Sequence, residues 1–149
     1  MGSWVSYLAA KHADRRRAAR EDAQLWGDRL LARTSEFLAA REDSAMELRI
    51  LQHVPGGVSA RSDYVKQHGK HLEAARALNL KGQSLAKIAP EHVRDLSRAF
   101  VTDLATLEKD GTANDTSITA PMNKKSVDLI DEVRKLVGVP DFTKPRDLR

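Results

Sequence analysis

Two histidines three positions apart are the first residues in this chain whose type and spacing suggest chemistry. His68 and His71 would lie about one turn apart on a helix, which is the spacing of a two-histidine metal pair. Lys66 and Lys70 flank them, and no carboxylate occurs one turn away on that face to complete a ligand set. Because a cation there would meet positive charge, we favour partial burial of the imidazoles beside Tyr64. We predict no metal site and no cofactor.

Paired acids are the second candidate for chemistry. Glu21 is followed by Asp22, and Glu42 by Asp43. Adjacent residues on a helix point about 100° apart, so the carboxylates of each pair cannot act together on one substrate, and we expect solvated acids. The chain has no cysteine, and it carries no nucleophile elbow, phosphate-binding loop or dinucleotide fingerprint. We therefore predict a non-enzymatic protein with no catalytic residues and no small-molecule substrate.

The segment KHADRRRAAR, residues 11–20, concentrates positive charge, and we call it the basic block. It carries a net charge of +4, whereas residues 21–53 carry four arginines against seven acids. Trp4 and Tyr7 precede it, as aromatic residues do beside membrane headgroups. These features predict an interaction surface. Its residues are Trp4, Tyr7, Lys11, Arg15, Arg16, Arg17 and Arg20.

Several occupants of the basic block remain open. A plain solvated helix face is one interpretation, and the acidic half of a second, antiparallel copy is another. An anionic membrane surface is a third. Nucleic acid is less favoured, because Glu21, Asp22 and Asp28 would repel a duplex and the block is interleaved with alanine instead of stacking aromatics. We expect a homo-oligomer or another helical partner first, with apolar contacts at Trp26, Leu30 and Phe37.

The element that carries the basic block is a long helix, expected from about Trp4 to His53, because no proline interrupts that stretch. Part of its apolar pattern follows a heptad phase, at Leu30, Phe37 and Leu51. Arg41 and Ser44 dilute that phase. The segment VPGGVS, residues 54–59, supplies a proline and two glycines that end the helix. A helix this long exceeds a compact domain, so residues 1–25 are predicted to project.

Helical periodicity continues through the rest of the 149 residues, and no segment alternates like a strand. Three more helices are expected, at about Ser62–Leu80 with Gly82 as the break, from near Pro90 to Gly111, and at about Pro121–Val137. A polar loop at 112–119 and an irregular tail at 139–149 complete a single all-α domain, 1–149. We predict a bundle of about four helices with a coiled-coil-like first helix. Phe100, Leu104, Ile130 and Val133 should be buried where the last two helices meet.

The apolar segment nearest the start, WVSYLAA at residues 4–10, is far shorter than the roughly 18 residues that cross a bilayer. It is also too short and polar for the core of a secretory signal. We therefore expect a cytoplasmic protein, with peripheral membrane association as the alternative.

The order of several short motifs resembles a group of small uncharacterised helical proteins of actinobacteria and their phages. The motifs are DRRRAAREDAQLWGDRLLARTSEFLAA, then LAKIAPEHVRDL, then SVDLIDEVRKLVG, across residues 12 to 138. The resemblance implies a long helix with an arginine-rich start, no catalytic residues, and a phage or prophage accessory role. Members of that group often carry an N-terminal membrane helix, which we do not expect in this chain, and Ser35 stands where they often have an aromatic residue.

Overall fold

A computed structural model describes the backbone of residues 3–54 and 60–138, and the side chains of residues 11–54 and 61–138. This part of the chain is all-α. Its helices are α1 (Ser3–His53), α2 (Ala60–Ala86), α3 (Glu91–Asp110) and α4 (Thr116–Val137). The predicted bounds of the first and third helices are confirmed to within one residue. The predicted turn at 55–59 and the predicted tail at 139–149 lie outside the described residues.

Helices α1 and α2 form the most extensive contact in the bundle, and they run antiparallel. Lys81 Nζ lies 2.8 Å from Glu36 Oε2, while earlier in α2 Gln67 donates to Glu47, which lies later in α1. Reversed order of this kind places the end of α2 beside the middle of α1.

Helix α4 closes the bundle by packing against both α3 and α1. Lys125 Nζ lies 2.7 Å from Asp103 Oδ2 of α3, and Asn123 Oδ1 accepts a 3.0 Å hydrogen bond from Arg41 Nη2 of α1. The last turn of α3 lies beside the first half of α2, and its first turn lies beside the end of α4, so α3 is antiparallel to both neighbours. The second half of α1 and the three later helices therefore form an up-down-up-down bundle.

Aromatic rings from α1 and α3 meet at the centre of the core. The Phe37 and Phe100 ring centroids are 6.1 Å apart with planes inclined at 57°, a tilted geometry that aromatic pairs favour. The largest fully buried side chains are Phe37, Phe100, Leu30, Leu48, Leu85, Leu129, Val93 and Val133. The predicted burial of Phe100, Leu104 and Val133 is confirmed, whereas Ile130 is only half-buried because its neighbour Leu129 points into the core.

The predicted end of the second helix was wrong. Gly82 does not break α2, which continues to Ala86. A Cβ built on Gly82 would lie 3.4 Å from Cε2 of Phe37, so this glycine sits against a core ring. Tertiary packing of α2 on α1 therefore outweighs the low helix propensity of one glycine.

The predicted loop at 112–119 was also wrong in its second half, because α4 begins at Thr116 and includes Pro121. Asp115 caps the helix: its Oδ1 accepts hydrogen bonds from Ser117 N at 2.9 Å and from Ser117 Oγ at 2.6 Å. These hydrogen bonds hold the pKa of the Asp115 carboxyl below its usual range. The cap starts the helix early enough that proline falls within its second turn.

Two polar residues of α1 belong to the buried stripe of this helix. Arg41 and Ser44, which were predicted to dilute the heptad phase, are both buried, and Arg41 is only 4% exposed. The Arg41 guanidinium lies 5.6 Å from the Phe100 ring centroid, donates to Asn123 and pairs with Glu42. The stripe therefore keeps its heptad phase and accommodates a cation by stacking it on an aromatic face.

Alanine substitution at two helical glycines, Gly27 in α1 and Gly69 in α2, is expected to test the packing of α4 on α1. Gly69→Ala should stabilise the protein by about 0.5–1 kcal/mol, because nothing lies within 4 Å of the added Cβ and alanine favours a helix. Gly27→Ala should gain less, because its Cβ would lie 2.7 Å from Cγ1 of Val137. Urea denaturation followed by circular dichroism measures both changes. Equal gains at the two positions would contradict the packing of α4 against Gly27.

Candidate interaction surface

The bundle stops covering α1 near Trp26. Trp26 Nε1 donates a 3.1 Å hydrogen bond to the carbonyl of Ile88 in the α2–α3 connection. One residue later, Gly27 is buried against Val137 at the end of α4, and Leu30 is fully buried. The α2–α3 connection and the end of α4 therefore both contact α1 at residues 26–27. Residues 3–25 extend beyond the bundle, and we call them the overhang.

The overhang is a continuous helix, and the bundle does not cover its described side chains. Every side chain described in it, from Lys11 to Leu25, is exposed. At about 1.5 Å per residue its 23 residues extend roughly 35 Å, which is comparable to the diameter of a small domain. Because the described side chains of the overhang are exposed, packing within the chain adds little to its stability, and a partner surface would add to it.

All five cations of the basic block are exposed on the overhang. Helical geometry places Arg16, Arg17 and Arg20 within an arc of about 100°, with Lys11 and Arg15 on the opposite side. Arg17 Nε lies 3.9 Å from Glu21 Oε1, a solvent-exposed pair that contributes little. The three-arginine face is therefore the most uniformly positive part of the overhang.

The remaining residues of the predicted surface are only partly described. Trp4 and Tyr7 belong to the helical backbone of α1, but their side chains lie outside the described residues. Glu21, Asp22 and Asp28, which follow the basic block, are exposed as predicted.

A second apolar feature of α1, which sequence reasoning missed, lies on the side opposite the core. Residues spaced seven apart form an exposed line along the helix, which we call the outer strip. Its members are Ala18, Leu25, Ala32, Ala39 and Met46. Leu25 is 53% exposed and Met46 is 51% exposed. The seven-residue spacing of the strip is visible in the sequence, but the heptad phase of the larger apolar residues Leu30 and Phe37 was the one used for the prediction.

The two histidines of α2 have different environments. His68 is half-buried and stacks on Tyr64, with ring centroids 5.9 Å apart, as predicted. His71 is buried, with its Nε2 3.3 Å from Glu108 Oε1 of α3. Within the described part of the chain, no group of three or more histidine and carboxylate side chains is arranged to hold a metal ion.

A shallow groove lies between α2 and α3. Asn79, Gly82 and Gln83 line one wall, and Ser97, Arg98 and Val101 line the other. Among the described residues in its walls, Arg98 alone carries charge, and it pairs with Asp95 at 3.4 Å. The groove brings together no acid, base and nucleophile within reach of one another.

Comparisons with known proteins identify no relative: no family model, curated protein or solved structure matches this chain. Among the described helices, none combines the length and the apolar character needed to cross a bilayer.

Proposed function

We propose that this chain is a non-enzymatic helical interaction protein whose overhang contacts an anionic partner surface. The observation that carries the proposal is the exposure of every described overhang side chain on a helix that the bundle holds at Trp26 and Gly27. The favoured partner is a second copy of the chain, followed by another acidic helical protein. Anionic lipid at the inner face of the cytoplasmic membrane is a further surface of suitable charge, and the resemblance to phage proteins suggests a prophage accessory role.

The distribution of charge along α1 supports a protein or lipid surface over duplex DNA. The three-arginine face is flanked within about two turns by Glu21, Asp22 and Asp28, all exposed. A duplex that follows the helix would bring phosphates against those acids, whereas a short acidic helix or a lipid surface can contact the helix start alone. Each basic residue near an anionic membrane contributes about 1 kcal/mol, which falls off within a Debye length.

A nucleic-acid-binding accessory protein is the second candidate, and one feature favours it. The five cations lie on two opposite sides of the helix, so both walls of a major groove would meet basic side chains, as in continuous basic helices that enter DNA. The two proposals differ in the ligand that the same arginines recognise.

Replacing Arg15, Arg16, Arg17 and Arg20 by glutamine is expected to weaken binding to anionic vesicles strongly. About three arginines can reach a planar surface, so the loss should be near 3 kcal/mol, or about a hundredfold in affinity. Titration of phosphatidylserine-containing vesicles and of random-sequence DNA at about 150 mM salt measures both ligands side by side.

A charge-matched control separates local recognition from net charge. Arg61, Arg76, Arg98 and Arg134 are exposed arginines of the bundle, and their replacement by glutamine lowers the net charge equally. This control should retain vesicle binding. Tight DNA binding that only the overhang variant loses, with vesicles ignored, would favour the nucleic-acid candidate. Equal loss in both variants would mean that binding follows net charge and needs no overhang.

A further inference from the structure

We infer that the outer strip is the docking surface for a second copy of this chain, which lies antiparallel with the two Leu25 side chains at the centre of the interface. The inference rests on the proposed function, and it specifies which face of α1 forms the contact and how the two helices are aligned. It replaces the predicted contacts at Leu30 and Phe37, because both side chains are fully buried in the chain's own core and cannot reach a partner.

The spacing of the outer strip matches a left-handed helix pair. A seven-residue repeat drifts by about 20° per heptad around a straight helix, so a partner helix follows the strip by winding left-handedly. Ala18, Ala32 and Ala39 leave room for close approach of two backbones, near the 8 Å lower limit of helix packing. Leu25 and Met46 supply the larger apolar groups.

Charge on one flank of the strip is self-complementary in the antiparallel sense. Arg15, Asp22, Arg29 and Glu36 follow one another at seven-residue spacing with alternating sign. Reversal about Leu25 sets Arg15 opposite Glu36 of the second copy, and Asp22 opposite its Arg29. Glu36 already pairs with Lys81 and Arg33 of its own chain, so Arg15 of the second copy would join an existing ion pair and add little at this position.

The charges of the basic block and of the acidic segment that follows it favour antiparallel over parallel pairing. Parallel pairing would set two basic blocks of net charge +4 side by side. Antiparallel pairing instead lays each block along residues 30–39 of the other copy, next to the acids Glu36, Glu42 and Asp43. On the other flank, Glu21 of one copy would approach Asp28 of the second, and this repulsion weakens the dimer.

A groove lies where the end of the second copy would arrive. In this register residues 4–10 of the second copy run opposite residues 40–46, beside a groove between α1 and α2. Half of its lining is apolar and half is charged: Ala40, Met46, Ala74 and Ala77 against Asp43, Glu47, Lys70 and Glu73. The sequence of residues 4–10, WVSYLAA, mixes apolar with hydroxyl side chains, which suits the apolar half of this lining.

Single cysteines test the register, because the chain contains none of its own. Under mild oxidation, Leu25→Cys should form a disulfide-linked dimer by itself. Ala18→Cys and Ala32→Cys should each remain unlinked alone and should link when mixed. Leu80→Cys is the control, since Leu80 is 66% exposed on α2, away from the strip, and should stay unlinked.

Sedimentation equilibrium at tens of micromolar provides the second measurement. The wild-type chain should sediment as a dimer, Leu25→Glu as a monomer, and Leu80→Glu as a dimer. Asp28→Lys should tighten the dimer, because it places a cation beside Glu21 of the second copy.

The outcomes separate this inference from the proposed function. If the wild-type chain is a dimer but Leu25→Cys stays unlinked, the outer strip is not the dimer interface, although the chain still self-associates. Self-linking of Ala18→Cys alone would indicate parallel pairing and overturn the register. A monomeric wild-type chain overturns the second copy as partner, and the vesicle titration then decides whether lipid takes its place.

Discussion

Phe100→Ala is expected to destabilise the bundle by about 3–5 kcal/mol, which is a large fraction of the 5–15 kcal/mol typical of a domain. The ring is fully buried, packs against Phe37 and lies beneath the Arg41 guanidinium. Removing it leaves a cavity that α1 and α3 can close only in part. For a chain of this length the loss corresponds to a fall of about 10 °C in Tm, measured by thermal denaturation.

Leu80→Ala is the matched control for that experiment. It also removes a large apolar side chain from a helix, but Leu80 is largely exposed, so its effect should stay within about 0.5 kcal/mol. A Tm unchanged by Phe100→Ala would show that α3 packs in a different register from the one described.

Arg41→Met and Arg41→Ala are expected to differ by about 2–5 kcal/mol, with methionine close to the wild-type chain. Arg41 is buried, so its charge pays a desolvation penalty that its contacts must offset. Methionine keeps the aliphatic stem on the Phe100 ring and removes the buried charge. Alanine removes the stem as well and leaves a cavity between α1 and α4.

The partners of Arg41 make the methionine variant tolerable. Asn123 is exposed and Glu42 has a side chain 61% exposed, so water can replace the lost donor at both. Urea denaturation of the two variants measures the difference. If methionine and alanine destabilise equally, the hydrogen bond to Asn123, and not the packed stem, holds α4 on α1.

Part of the candidate site could be predicted from residue types alone. The basic block and its acidic continuation are local features of composition, and the absence of proline between Trp4 and His53 places them on one helix. The sequence could not decide which side of that helix faces the core. Leu30 and Phe37 were assigned to a dimer contact because an apolar stripe fits a partner helix in the same chain as well as one in another chain.

What this sequence by itself determined is the all-α class, the long first helix and the stop at Gly111, because helical periodicity and left-handed glycine caps are local properties. The tertiary structure decided the rest. Packing of Gly82 on the Phe37 ring carries α2 to Ala86, and the Phe100 ring makes room for a buried Arg41. Contacts at Trp26 and Gly27 fix where the bundle ends and the overhang begins. These outcomes depend on which residues distant in the chain come within a few ångströms, and periodicity along one helix does not contain that information.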